Sequence, residues 1–176
     1  MSNVQQAFQG GKAFIGFLTA GDPNLDATAR YIKVMADNGA DLIEIGIPFS
    51  DPVAEGPVIQ AASGRALAGG ATTDRIFKMV ETVRPTVSIP LVFMTYMNPI
   101  YVYGTEKFFA RCAEVGISGV IVPDVPFEEK GDLTDVAAKH GITVISLIAP
   151  THKNKKVTVR DRISDLPPVE DGEINL

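Results

Sequence analysis

The chain has no tryptophan, a single cysteine (Cys112) and two histidines (His140 and His152). One cysteine excludes an internal disulfide, and within FFARCAEVG it reads as a buried helix residue, with no base nearby to make it a nucleophile. Two separated histidines are too few to suggest a metal site, so no metal is expected. His140, just before Gly141, reads as a helix C-terminal residue favoured by the macrodipole. Basic charge is also in short supply: 16 Lys and Arg face 21 Asp and Glu, for a net charge of −5. An acidic chain lacks the basic footprint of a nucleic-acid binder, and the local cluster 153-KNKK-156 reads as solvated surface. No basic segment leads into an apolar core at the N-terminus, and no apolar run approaches the roughly 18 residues of a membrane span. A soluble, cytoplasmic protein is expected, with enough apolar content, 45%, for one domain with a substantial core.

What is present is a repeated order of elements. An amphipathic helix, a glycine that ends it and a short β-branched strand recur in KVMADNG-ADLIEIG, FARCAEVG-ISGVIVPD and VAAKHG-ITVISLIAP, with Gly39, Gly116 and Gly141 just past the helices. Strands are expected near Phe14 to Thr19, Leu42 to Ile47, Leu91 to Thr95, Gly119 to Val122 and Thr143 to Ile148, with helical stretches between. Such alternation predicts an α/β fold with a parallel sheet.

The second strand carries a charge in its middle: 40-ADLIEIGIPFSDPVAEGP-57 places Glu44 among Leu, Ile and Gly. Alternation puts Ile43, Ile45 and Ile47 on one face and Leu42, Glu44 and Gly46 on the other. Both faces read as buried, as in a parallel strand covered on both sides, and desolvating a carboxylate there is costly unless the site uses it. An isolated strand glutamate more often points outward and pairs with Lys or Arg. Here, however, the strand's C-terminal end opens into a long loop of Pro, Ser, Asp and Gly, before a helix expected from about Gln60. That is where parallel α/β proteins place their chemistry. The segments 19-TAGDP-23, 95-TYMNP-99 and 123-PDVP-126 stand at the tops of other strands. Singly, each reads as a turn or helix cap; together they form one polar rim.

These loops carry a family resemblance. FLTAGDP (17 to 23), IEIGIPFSDPVAEGPVIQ (43 to 60), MTYMNPIYVYG (94 to 104) and VIVPDVPFEE (120 to 129) make the chain resemble the tryptophan synthase alpha subunit family over about residues 14 to 150. The resemblance implies a TIM-type (βα)8 barrel. It further implies a retro-aldol cleavage of indole-3-glycerol phosphate to indole and glyceraldehyde 3-phosphate, with indole passing to a partner β subunit in a hetero-tetramer. Any pyridoxal phosphate would belong to that partner. By motif, Glu44 matches the family's acid and base residue, and Glu55 the second carboxylate, which the family usually carries as Asp in VADGP. The added methylene shifts the carboxylate by roughly an ångström. Phe17, Tyr96 and Asp124 resemble substrate-pocket residues. Asp51, Pro52, Asn98 and Pro126 resemble the surface facing the β subunit.

Beyond Pro150 the quoted motifs end. THKNKKVTVRDRISDLPPVEDGEINL reads as a divergent, mostly irregular tail over 151–176, following a partial βα-barrel domain over 1–150. Barrels of this class run to roughly 250 residues and bind phosphate after strands seven and eight, so truncation to about five parallel strands is expected, with open sheet edges and an exposed apolar layer. Three readings stand at this point: an alpha-type lyase, a catalytically inactive fragment that keeps only the loops facing the β subunit, and a different phosphate-sugar barrel enzyme.

Overall fold

The computed structural model describes residues 3–125 and 131–145. The later part of the expected fifth strand (146 to 148), Pro126, His152 and the expected tail over 151–176 lie outside the described residues.

Helix boundaries follow from local chemistry. In α2 (Leu25–Asp37) the Asn24 side chain accepts from the Ala27 N–H at 2.8 Å, and Asp26 sits in the first turn, where a negative charge meets the exposed amide dipoles. In α4 (Thr73–Val83) the Thr72 hydroxyl plays the same part for Arg75, beside Asp74. Helix α6 (Thr105–Val115) ends on Gly116 at φ 80°, a left-handed conformation that side-chain-bearing residues adopt only with strain.

Five parallel strands form one sheet in sequence order: β1 (Ile15–Thr19), β2 (Leu42–Gly46), β3 (Leu91–Met94), β4 (Gly119–Ile121) and β5 (Thr143–Ile145). The first four expected strands are found with an end trimmed by one residue, as strand ends usually vary, and the fifth is found over its described part, Thr143–Ile145. The expected α/β class and parallel sheet hold.

The register divides the sheet into two faces. Ile43, Ile45, Leu91, Phe93 and Val120 point toward the helices and are fully buried. There Phe93 and Phe108 each lie with ring centroids 5.4 Å from Phe77, edge to face, an arrangement that adds to the burial of three large rings. Helix α4 packs against α2 and α6, and α6 against α7 (Gly131–Lys139), so the helices close this face in one layer. Cys112 is buried within it as expected, and its setting raises the thiol well above its usual range. His140 follows α7, its Nε2 2.8 Å from Glu106 of α6.

The opposite face carries Ile15, Phe17, Leu42, Glu44, Val92, Met94, Ile121 and Ile145. Its lower part is covered by the short helix α1 (Asn3–Gln6), whose Val4 packs on Leu42 and Val92. Along β1 it is open, with Ile15 39% and Phe17 37% exposed. The apolar layer expected from a partial barrel is therefore present along β1, and among the described residues the outer edges of β1 and β5 have no partner strand.

Two elements differ from the expectation. Helix α3 (Pro57–Ala68) begins at Pro57, three residues ahead of Gln60, because proline's fixed φ and missing N–H suit the first helical position. The stretch after β3, expected as a polar turn, contains helix α5 (Met97–Tyr103). Its Pro99 lies in the first turn, where no intrahelical N–H is required.

Candidate active site

The site is built on the upper end of the open face. In β2, Glu44 lies in register between Phe17 of β1 and Val92 of β3. It is half-buried, and burial raises its carboxyl above the ordinary 4.5, since leaving water penalises the ionised form. Two residues on, a side chain at Gly46 would meet the Phe17 ring at 2.9 Å. The glycine thus lets the aromatic ring lie across β2 beside the carboxyl.

The long loop after β2 folds back over this end. A cleft of about 300 Å3 is lined by Phe17, Glu44, Ala54, Glu55, Gly56, Ile59 and Met94. The two glutamates singled out in the sequence therefore share one cleft with one of the three expected pocket residues. Glu55 is half-buried, and its backbone carbonyl accepts from the Gln60 side chain at 2.7 Å.

The other expected residues stand around the cleft. Tyr96 is 2% exposed and does not line the cleft; its ring centroid is 5.5 Å from that of Phe49, and its hydroxyl oxygen accepts from the Ala54 N–H at 3.1 Å. Asp124 is exposed, and its two carboxylate oxygens accept from the Met97 N–H at 3.0 and 3.1 Å, which caps α5 with a charge at its positive end. Asp51 and Asn98 line a separate cavity of about 400 Å3 that also takes in Phe49, Thr72 and Val102. The Ser50 hydroxyl donates to the Asp51 carboxylate. Pro52, half-buried, lies between the two cavities in sequence and lines neither.

Sequence reasoning missed Met94 and Ile59 as cleft walls. Alternation along β3 does place Met94 on the Glu44 face, so its signal was available. Ile59 is brought in by the early start of α3, for which Pro57 at the first helical position was the available signal. Among the described residues no group of three or more His, Cys, Asp or Glu could hold a metal ion, and no helix is long and apolar enough to cross a membrane.

A parallel sheet with helices on one face and a half-buried carboxyl at the carboxyl end of a strand, roofed by the following loop, belongs to the βα-barrel class. Comparison with known proteins narrows the class. The sequence profile of the tryptophan synthase alpha chain matches residues 3–167, running past the last of the quoted motifs. The alpha chain of Clostridium kluyveri is 49% identical over 147 residues, covering 84% of this chain and 56% of that one. A crystal structure of the Legionella pneumophila alpha subunit superposes with TM-score 0.80 at 39% identity, over 86% of this chain and 60% of the other. The α2β2 complex of Pyrococcus furiosus tryptophan synthase includes a chain matching with TM-score 0.73 at 40% identity, over 79% of this chain and 59% of that one. The chain belongs to the tryptophan synthase alpha chain family, a family of TIM-barrel lyases of tryptophan biosynthesis. It spans a little over half the length of the curated relatives it matches.

Proposed function

We propose that the cleft carries out the retro-aldol cleavage of indole-3-glycerol phosphate to indole and glyceraldehyde 3-phosphate. The observation that carries this reading is the pairing of a carboxyl raised by burial, Glu44, with a second carboxylate, Glu55, in one cleft beside the flat face of Phe17. Protonated Glu44 donates to the ring carbon that bears the glycerol chain, while Glu55 takes the proton from the indole nitrogen as the tautomer forms. Glu44, now ionised, accepts the proton of the side-chain hydroxyl as the carbon–carbon bond breaks. The bonding electrons return to the ring, Glu55 gives its proton back to nitrogen, and the aldehyde leaves. One carboxyl must hold a proton at the start while the other lacks it, and the burial that favours the protonated form of Glu44 suits it to the first part. Phe17 offers apolar area to the indole ring.

In this reading the partner is a tryptophan synthase β subunit, by likeness to the Pyrococcus furiosus assembly, and pyridoxal phosphate would be held by that subunit. Asp51, Pro52, Asn98 and Pro126 would face it. The setting would be cytoplasmic. A second reading, a chain that binds a β subunit without turnover, draws on the 56% share of its relative's length that this chain spans. The test is to mix the purified chain with indole-3-glycerol phosphate, with and without a β subunit, and follow indole. Release that Glu44→Gln abolishes supports the lyase. A folded chain that releases none, yet binds a β subunit, supports the second reading.

A further inference from the structure

We infer that Tyr96 is a positioning residue for Glu55, acting through the backbone of Ala54 and not through contact with substrate; this rests on the lyase reading above. Tyr96 is 2% exposed and is absent from the walls of the cleft, so it presents almost no surface to a molecule bound there. Its hydroxyl oxygen instead reaches across 42 positions of sequence to accept the Ala54 N–H at 3.1 Å. Ala54 is the residue immediately before Glu55, and the Gln60 side chain holds the carbonyl of Glu55 itself at 2.7 Å. The Glu55 backbone is thus fixed on both sides, one tie from β3's loop and one from α3.

The tyrosine is well placed to act as a fixed post. Its ring packs on Phe49, which belongs to the same loop nearer β2, and the next residue, Met97, is held through its N–H by both oxygens of Asp124. Hydrogen bonds therefore tie the ends of β2, β3 and β4 through the adjacent Tyr96 and Met97, and the tie to β2's loop holds the backbone just before Glu55. A loop carboxylate has many rotamers and a flexible backbone, and a displacement of about an ångström can cost about a hundredfold in rate. A buried phenol removes that freedom on one side without occupying the cleft.

Tyr96→Phe keeps the ring against Phe49 and removes only the acceptor. We expect kcat for indole release to fall about tenfold, the loss of one hydrogen bond acting on the transition state, with KM within about twofold. In a Glu55→Gln background the same change should alter kcat by less than about twofold, since there is then no carboxylate to position. Additive losses in the double variant, or a raised KM with kcat kept, would instead mean direct contact with substrate and overturn the inference. A second readout is independent of turnover. In the full chain, exchange of the Ala54 amide, followed by NMR, should accelerate about tenfold in Tyr96→Phe, while the Ala20 amide, paired with the Gly46 carbonyl at 2.9 Å, keeps its rate. An Ala54 amide equally protected in both proteins overturns the tether. If the unaltered chain releases no indole yet shows the exchange difference, the lyase reading alone falls.

Discussion

On the helix-covered side of the sheet Phe93 and its neighbours are sealed from water, whereas on the other side Phe17 keeps more than a third of its surface exposed. The two faces alternate along the same strands, residue by residue, so the difference cannot come from strand propensity. It comes from what lies opposite: a layer of helices around an aromatic core on one side and, among the described residues, α1, the loop after β2 and the start of α3 on the other. Stability is therefore concentrated on the first face. The second face tolerates a carboxyl, since half-burial perturbs Glu44 without the full cost of sealing an ion away from water.

The sharpest way to break this contrast is Phe93→Ala. Removing a fully buried ring from the Phe77–Phe108 cluster should cost about 3–5 kcal/mol, measured by urea unfolding, and a cost below about 1 kcal/mol would show that the helix face is not the seat of stability. Glu44→Gln should do the reverse, lowering indole release about a hundred- to a thousandfold while the fold persists. Its effect on stability has a definite sign. Burial raises the Glu44 carboxyl above 4.5, so in the window above that value the folded chain holds a proton which the unfolded chain has released. The Glu44 contribution to stability is accordingly fully present below 4.5 and is lost as pH rises through the raised value. Glu44→Gln should melt above wild type at pH 7, and the gap should close as the pH is lowered toward 4.5, as followed by circular dichroism. A variant that melts lower at pH 7 would contradict the assigned cause of the shift. Glu55→Asp shortens the side chain to the family's usual residue and should raise indole release, up to about a hundredfold, with unfolding unchanged. The smallest effect is expected from Phe17→Ala. At a half-open site the loss should stay below about 2 kcal/mol, well under that of Phe93→Ala, while KM for indole-3-glycerol phosphate rises.

Much of this arrangement was legible in the chain. The β-branched runs after Gly39, Gly116 and Gly141 located three strands, and alternation alone placed Glu44 opposite Ile43 and Ile45. The pairing of Glu44 with Glu55 in one cleft agrees with the motif that holds both. Less legible were features that depend on contacts distant in sequence. Nothing near Val4 announces that it covers Leu42 and Val92, and nothing near Tyr96 announces a bond to Ala54. Helix α5 was hidden for a different reason: Asn98 and Pro99 favour turns by local preference, and only their position in a first helical turn makes them compatible with a helix. Asp124 reads as a loop acid until the Met97 amide is placed above it.

Cys112 has one further use. It is the chain's sole thiol, buried on the inner side of α6, and that burial favours its unreactive protonated form. A maleimide or disulfide dye added to the native protein can therefore attach only during an excursion that parts α6 from the sheet. The rate at which the dye is consumed becomes a clock for such excursions, counted at a single atom without any engineered label.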